Sequence, residues 1–542
     1  MMPRRSLISL WNWSIGRSRA FWLIWLVAMR NEPKGSTPKS GRPTPRRVRS
    51  ASYQISSLLF LRFLGIIYLI AFVSLWVQID GLVGSQGISP AVSFLEAVDK
   101  QLGADAYWRV PTFFWLGCSD FALHLVCGIG TFFSAVLVFG LLPPFTCLLL
   151  WGLYLSLVSI TGVFLGFQWD NLLLEVGFLA IFLGPMRIWP RVGRHWKPSP
   201  IILFLLVWLL FRLIFSSGVV KMQDEPFSPN TWKALTALTY HYETQPLANT
   251  VAWFMHQLPE WFQKFSVVVT FICQLGIPWL VFGPPVMKKI AFCGILFLQL
   301  LIVATGNYCF FNLLALSLCL LLLDDKLLLA CSPRRYIRRV AHGRRRKVAW
   351  IRNIVIIPVA IVVGATSLTI MVDLLTGRAY QIQRKFPVTK YISPFRSING
   401  YGLFARMTTE RPEILVEGSN DRQTWIAYEF KWKPGDLSQR PLQVAPHQPR
   451  LDWQMWFAAL GSMDRNPWFL NFLHRLLEGT PEVLALLKTN PFPDSPPKYI
   501  RAVMYDYHFT NFEERNDTGD WWKRDKQRMY CRPISLESFR KR

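Results

Sequence analysis

The stretch that decides the fold class is residues 55–78, ISSLLFLRFLGIIYLIAFVSLWVQ, in which Arg62 is the only charged residue. A helix of about 20 apolar residues crosses the roughly 30 Å of hydrocarbon in a bilayer. The stretch therefore predicts a membrane-spanning helix. The composition of the 542-residue chain supports this prediction, because 52% of the residues are hydrophobic and only 17% are charged. An ordinary soluble domain is about a quarter charged.

Eight further apolar runs meet or approach the length of a span. The fourth run is short, and the seventh and eighth are nearly fused around Gly306 and Asn307, where a tilted or re-entrant element could lie. We therefore predict an α-helical polytopic membrane protein, followed by a C-terminal α+β, strand-containing extracytoplasmic domain. About nine spans are expected, near residues 55–78, 112–139, 144–165, 171–186, 200–222, 265–282, 289–305, 307–323 and 353–375.

The net charge of +27 lies almost entirely in segments at one side of the predicted spans. Four segments together carry 27 Lys/Arg and three acidic residues: 1–52, 186–199, 283–290 and 324–352. With nine spans, all four segments fall on the side of the N-terminus, and basic loops mark the cytoplasmic side of a membrane. We therefore expect a cytosolic N-terminus and a C-terminal region in the lumen or periplasm. The basic runs are interpreted as topogenic charge that also contacts anionic lipid, with no nucleic acid as a partner.

The domain organisation follows from the change of composition near residue 377, where charge rises and no further span is found. Glu413–Gly418 is predicted as a short strand, and alternating apolar residues predict strands at Trp425–Trp432 and Tyr499–Thr510. A helix is expected to begin after Asn466-Pro467 and to end at Gly479. The predicted domains are a basic cytosolic extension (1–52), a multi-span transmembrane domain (53–376), an extracytoplasmic α+β domain (377–510) and a flexible tail (511–542).

Ionisable residues inside predicted spans are costly and are therefore candidates for function. Glu175 is expected to form an interhelical ion pair with Arg62 or Arg212. Asp120 and His124 are four residues apart and share a helix face, which favours a hydrogen bond between them over a metal pair or proton relay. All five are interpreted as structural, and the sequence predicts neither a metal site nor a cofactor.

Lys221, His241 and Glu243 are the candidates for catalysis if the protein is an enzyme. Lys221 would act as a base, with His241 and Glu243 close by. The simpler interpretation is that Lys221 extends to the membrane interface and that the other two residues belong to an aromatic interfacial belt. These two interpretations are not separated by composition, so no catalytic residue is assigned.

Several long stretches resemble the lipase maturation factor family. The residues that carry the resemblance are LRFLGIIYLIAFVSLWVQIDGLVGSQGISPA (61–91), FQWDNLLLEVGFLAIFLGP (167–185), TWKALTALTYHYETQPLAN (231–249), YEFKWKPGD (428–436), PHQPRLDWQMWFAALGS (446–462), NPF (490–492) and IRAVMYDYHFT (500–510). The resemblance implies a non-enzymatic membrane factor of the endoplasmic reticulum that helps secreted lipases to fold and dimerise. In a bacterial source, the same chain would lie in the inner membrane.

The implied partners are membrane lipids and an exported client, a lipase by resemblance. Trp453, Trp456 and Phe457 of the C-terminal domain are the candidates for client contact, because exposed aromatic residues can shield apolar client surface. A shorter likeness is to the transmembrane domain of vitamin K-dependent carboxylases, in which a lysine follows a glycine at the end of a span, as Gly218 and Lys221 do here. It implies the alternative function, an intramembrane enzyme.

Overall fold

The computed structural model describes residues 52–188, 196–224, 230–330, 350–377 and 387–540, and residues 51–542 form one compact unit. The predicted N-terminal extension up to residue 51 and the basic run within 331–349 lie outside the described residues. The transmembrane and C-terminal domains, which the sequence divides near residue 377, therefore belong to the same packed body.

In the described part of the chain, nine apolar helices correspond to the nine predicted runs. They are α1 (Gln54–Trp76), α2 (Asp120–Phe139), α3 (Pro143–Ile160), α4 (Gln168–Ile181), α5 (Pro200–Lys221), α6 (Glu260–Phe271, continued by irregular turns to Phe282), α7 (Pro285–Thr305), α8 (Phe311–Cys319) and α9 (Trp350–Thr376).

The predicted class, a polytopic α-helical membrane protein with a C-terminal strand-containing domain, is confirmed. Among the described residues, seven of these helices are long and apolar enough to cross a membrane, against about nine predicted. The two exceptions are α4, with 14 residues, and α8, with nine. α4 is short because its first turns carry Asp170 and Glu175 and because Gly184 and Pro185 follow it closely. α8 is short because residues 306–310 before it are not helical.

The nine helices nevertheless alternate in direction, including the two short ones. Hydrogen bonds join the C-terminal region to the C-terminal ends of α1, α3 and α5 and to the N-terminal ends of α4 and α8. At the opposite end, the Asp325 carboxylate after α8 accepts hydrogen bonds from the backbone N–H groups of Gln54 and Ile55 at 2.9 Å. Also at that end, the Arg352 side chain of α9 donates to the Lys197 carbonyl before α5 at 3.2 Å. The start of α1 and the C-terminal domain are thus at opposite ends of the bundle.

Small residues allow the helices of the bundle to pack closely. A Cβ atom at Gly65 of α1 would lie 2.8 Å from the backbone nitrogen of Val138 in α2. A Cβ atom at Gly177 of α4 would lie 1.9 Å from the Tyr68 hydroxyl of α1. Such contacts exclude larger side chains, and they are typical of membrane helices, whose association depends on close packing.

The C-terminal domain is built on a four-stranded antiparallel sheet in the order β2-β1-β3-β4. β1 (Pro412–Ser419) pairs along its length with β3 (Tyr499–Phe509), so that Leu415 lies opposite Val503. β2 (Ile426–Tyr428) is only three residues long, shorter than the strand predicted at Trp425–Trp432. The domain is completed by α10 (Arg450–Ala459) and α11 (Pro467–Glu478); α11 ends at Gly479, whose φ of 69° is left-handed, as the sequence predicts.

The prediction of a flexible tail at 511–542 is wrong, because these residues complete the sheet. A short helix (Phe512–Thr518) leads to β4 (Trp522–Ile534), which pairs antiparallel with β3. Trp522 is 2% exposed and packs with Phe509 at 4.4 Å between ring centroids. The many charged residues of β4 suggest a tail, but they form a continuous exposed run on the edge strand of the sheet.

Shorter helices lie between the long ones and in the segment that joins α9 to the sheet. They are Ile79–Val83, Ala91–Leu102, Ala106–Arg109, Ala237–Thr244, Thr250–His256, Asp325–Ala330, Pro387–Ile392, Pro481–Leu484 and Leu536–Arg540.

Candidate functional site

The C-terminal domain is held on the helix bundle by buried charged side chains, and we call this contact the docking interface. Asp170 in the first turn of α4 is fully buried, and Arg450 at the start of α10 is 1% exposed. The Arg450 guanidinium donates two hydrogen bonds to the two Asp170 carboxylate oxygens, at 2.7 and 2.8 Å. Tyr154 of α3 donates its hydroxyl to the same carboxylate at 2.5 Å. Burial lowers the pKa of Arg450, but the Asp170 charge outweighs burial and raises this pKa above its ordinary value.

A second buried carboxylate of α4, Glu175, is also bound by the C-terminal region. Arg212 of α5 donates to one Glu175 oxygen. The other oxygen accepts hydrogen bonds from the Asn399 backbone N–H at 2.9 Å and from the Tyr401 hydroxyl at 2.7 Å. Arg212 in turn donates to the Asn399 carbonyl at 2.9 Å. The pair therefore joins two helices and the segment before the sheet, while Arg62, the alternative partner predicted from sequence, is exposed next to Gly140.

The third contact is made by Arg411, which directly precedes β1 and is fully buried. Its guanidinium donates to the carbonyls of Glu243, Gln245 and Pro246, in the connection between α5 and α6. It forms an ion pair with Glu413 at 2.8 Å, and the same carboxylate also pairs with Lys433 at 3.0 Å. One arginine of the C-terminal domain thus fixes the backbone of the HYETQP segment, residues 241–246.

Amide side chains complete the docking interface. Asn307, between α7 and α8, donates to the Leu442 carbonyl at 2.9 Å and accepts from the Val444 and Ala445 backbone N–H groups. Gln78, just after α1, accepts from the Arg450 backbone N–H at 2.9 Å and donates to the Gln448 carbonyl at 2.8 Å. Unpaired polar groups are costly to bury. A shift of the C-terminal domain relative to the bundle would break these hydrogen bonds and is therefore unfavourable.

Lys221 is buried at the docking interface, contrary to the expectation that it extends to the membrane interface. Its side chain is 4% exposed and donates to the carbonyls of Ser217 and Leu403 at 2.8 and 2.9 Å. Its ammonium also lies 4.9 Å from the ring centroid of Trp232. The nearby His241 has a pKa lowered to about 4, first by burial and then by the charge of Lys221. The Tyr308 hydroxyl is 3.1 Å from its Nε2.

Glu243 lies in a different cluster, with two histidines. His256 Nε2 and His508 Nδ1 are each 3.6 Å from a Glu243 carboxylate oxygen, and the Phe509 backbone N–H donates to it at 3.1 Å. Burial raises the pKa of Glu243, but the interactions with His508, His256 and Phe509 together lower this pKa below its ordinary value. The structure therefore does not bring the three catalytic candidates into one site: Lys221 and His241 are neighbours, and Glu243 is engaged by β3.

Asp120 and His124 do not bond to each other. His124 Nε2 is 3.0 Å from Asp80, and its Nδ1 accepts from the Trp76 indole at 2.7 Å. Asp120 accepts from the backbone N–H and the hydroxyl of Ser85. Both residues therefore stabilise the connection between α1 and α2. Within the described ranges, no group of three or more His, Cys, Asp or Glu side chains is arranged to hold a metal ion.

Two of the three proposed client-contact residues are in the core. Trp453 is 3% exposed and packs edge-on against Trp169 of α4 at 4.8 Å. Trp456 is 9% exposed and donates its indole N–H to the Thr244 carbonyl at 3.0 Å. Their position on a helix at the docking interface explains their burial, and only Phe457 is exposed, at 43%.

The sequence alone does not identify Asp170, Arg411 or Arg450 as functional residues, although they form the main buried contacts of the docking interface. A usable signal was present, because Asp170 stands in the polar entry to an apolar helix and buried carboxylates require a cationic partner. The partner's position could not be found, because Arg450 is 280 residues away along the chain. The docking interface consists of paired charges that are hydrogen-bonded to each other. Such an interface positions a domain and does not expose a reactive group.

The fold and the docking interface define a class of multi-pass membrane proteins in which a small antiparallel-sheet domain is fixed to one end of the helix bundle. The profile described as "Lipase maturation factor transmembrane domain" matches residues 55–330, and that described as "Lipase maturation factor C-terminal domain" matches residues 397–532. The chain therefore belongs to the lipase maturation factor family.

Curated relatives match over nearly the whole chain. Lipase maturation factor 2 of Gallus gallus is 37% identical, over 92% of this chain and 82% of the relative. Lipase maturation factor 2 of Xenopus laevis is 36% identical, over 87% and 81%. Lipase maturation factor 1 of Mus musculus is 32% identical, over 92% and 90%. No solved structure matches this chain.

Proposed function

We propose that this protein is a non-enzymatic maturation factor for exported proteins, with secreted lipases as its clients. The observation that carries the proposal is the match to both family profiles together with the docking interface between the regions they cover. The curated relatives are named for lipase maturation. A domain fixed at the membrane by buried ion pairs can meet an exported chain where that chain emerges.

The burial and the hydrogen bonds of Lys221, the candidate base, support a non-enzymatic role. The Lys221 amine donates to two backbone carbonyls and packs against an indole ring, and its side chain is almost inaccessible. A general base must be within hydrogen-bond reach of the proton that it removes. Lys221 is instead used to tie the end of α5 to the segment before the sheet.

The membrane orientation belongs to the same proposal. The N-terminus lies in the cytosol and the C-terminal domain in the lumen of the endoplasmic reticulum, because the described basic residues Lys197, Lys288 and Arg352 lie at the end of the bundle opposite that domain. Protease added to sealed microsomes is expected to leave residues 387–540 intact and to degrade them only after detergent is added. Degradation of this region in intact microsomes would contradict the orientation.

Client contact is proposed at the exposed side of α10, around Phe457. A photoreactive amino acid at position 457 of the full chain is expected to crosslink to a co-expressed secreted lipase in the membrane fraction. The matched control is position 532, an exposed site on β4. Equal crosslinking at both positions, or at neither while the lipase matures, would refute contact at this surface.

A further inference from the structure

A cavity of about 1040 Å³ lies where the C-terminal region meets the bundle. It is lined by residues from four parts of the chain, within 94–110, 158–162, 171 and 390–399. Val158 belongs to the last turn of α3, and Asn171 to the first turn of α4. The cavity therefore lies at the boundary between the apolar helices and the polar C-terminal domain.

The lining of the cavity is cationic. It contains Arg109, Lys390 and Arg396, with Asp105 as the acidic member. Arg109 is 3.7 Å from Asp105 in an exposed pair. Lys390 and Arg396 have no carboxylate within 4 Å among the residues that the structure describes. Asp170 attracts the Arg396 guanidinium at longer range. With three cations and one carboxylate, the lining of the cavity carries an excess of positive charge.

Arg396 is held in position by the network around Glu175. Its backbone is left-handed, with φ of 48°, and its carbonyl accepts a hydrogen bond from the Asn399 side chain at 2.8 Å. Asn399 also donates to Glu175 through its backbone N–H. The Arg396 guanidinium, which has five N–H donors, contacts Asn171 Oδ1 at 3.4 Å. Most of its donors therefore have no acceptor in the described part of the protein.

Aromatic residues form the wall beside these cations. The Trp108 indole donates to the Tyr391 carbonyl at 3.1 Å and lies edge-on to Phe395 at 5.1 Å. Phe395 stacks on Trp151 of α3 at 6.3 Å. Trp108 and Tyr391 are about half exposed, at 51% and 58%. Aromatic side chains of this kind are enriched where a membrane protein meets lipid headgroups.

We propose that this cavity binds the phosphate of a glycerophospholipid headgroup, with Arg396 and Lys390 as ligands and Trp108 and Tyr391 beside the glycerol. A planar guanidinium and an ammonium are the side chains that bind phosphate most strongly. A free phosphate ion offers the same chemistry but would leave most of the cavity empty. The cavity is continuous with the last turn of the apolar helix α3, which favours a lipid over a free ion. The proposal does not depend on the identity of the client.

The test is a titration of the purified full chain in detergent, followed by native mass spectrometry. Dioleoylphosphatidylglycerol, dioleoylglycerol and inorganic phosphate are the three probes, and only the phospholipid is expected to bind tightly. Arg396→Gln should weaken phospholipid binding by about tenfold or more, because one charge-assisted hydrogen bond contributes at least that factor. Arg532→Gln removes an exposed arginine of β4 and should leave binding unchanged.

Lys390→Gln decides the outcome if Arg396→Gln does not fold, because Lys390 is exposed on the rim. It should also weaken phospholipid binding, with protease resistance unchanged. The lipid assignment is overturned if dioleoylglycerol binds as well as the phospholipid, or if both glutamine variants bind the phospholipid like the parent. It is also overturned if inorganic phosphate binds as tightly as the phospholipid, in which case the site takes the free ion.

Discussion

Replacing Asp170 with alanine is expected to release the C-terminal domain from the helix bundle. The substitution leaves the Arg450 guanidinium, 1% exposed, without its counter-charge and removes the acceptor of the Tyr154 hydroxyl. Breaking a buried ion pair by removing one partner costs about 3–5 kcal/mol, because the remaining charge is buried without compensation. The free energy of unfolding should therefore fall by about that amount.

The double variant Asp170→Leu, Arg450→Met provides the matched comparison. Replacing both charges of a buried pair with apolar residues of similar volume is often neutral or stabilising. In this protein, the Phe164 carbonyl and the Tyr154 hydroxyl would also lose a partner, at about 1–3 kcal/mol for each buried group left unsatisfied. The double variant should consequently be less destabilised than the sum of the two single variants.

The assay is denaturant unfolding of the full chain in detergent, monitored together with protease resistance of residues 387–540. Glu260→Ala is the control, because its pair with Lys264 is exposed and such pairs contribute about 1 kcal/mol or less. An Asp170→Ala protein that loses no more stability than Glu260→Ala would refute the argument. So would strictly additive single and double variants, since residues in direct contact should couple.

Three further predictions concern other parts of the domain contact. Trp522→Ala should destabilise the C-terminal domain by about 3–5 kcal/mol, as for other buried aromatic residues, whereas Arg532→Ala should stay within about 0.5 kcal/mol in the same unfolding assay. Burial and the charge of Arg450 lower the pKa of His447 to about 4 in the folded protein. The unfolded chain therefore binds a proton at a higher pH than the folded protein does, and the free energy of unfolding should fall as the pH drops from about 6.5 to 4. His447→Asn should reduce this dependence of stability on pH. Lys221→Arg should cost about 1–3 kcal/mol by overpacking yet leave lipase maturation per folded molecule unchanged; a folded variant that matures no lipase would favour the enzyme.

Much of the membrane domain could be predicted from sequence because a span is specified locally. The apolar run at 55–78 becomes α1, and Gly479 ends α11, because hydrophobicity and glycine's left-handed backbone act within a few residues. Two of the nine predicted runs, 171–186 and 307–323, form helices of 14 and nine residues, which are shorter than a bilayer is thick.

The docking interface could not be predicted because its partners are far apart along the chain. Asp170 and Arg450 each appear as isolated charges in the sequence, and only the packed structure makes them a pair. For the same reason, Trp453 and Trp456 suggested an exposed surface but are buried against α4 and the HYETQP segment. The strand at 522–534 was missed because its charged residues follow the pattern of a solvated edge and not of a half-buried strand.

The proposed function is tested most directly by the specific activity of a secreted lipase in cells that lack their own maturation factors. The lipase is expressed with the full chain, with Asp170→Ala or with Glu260→Ala, at matched levels in the membrane. We predict that the full chain and Glu260→Ala raise the activity per lipase molecule, and that Asp170→Ala does not. Unchanged lipase activity with the correctly folded full chain would contradict the proposal.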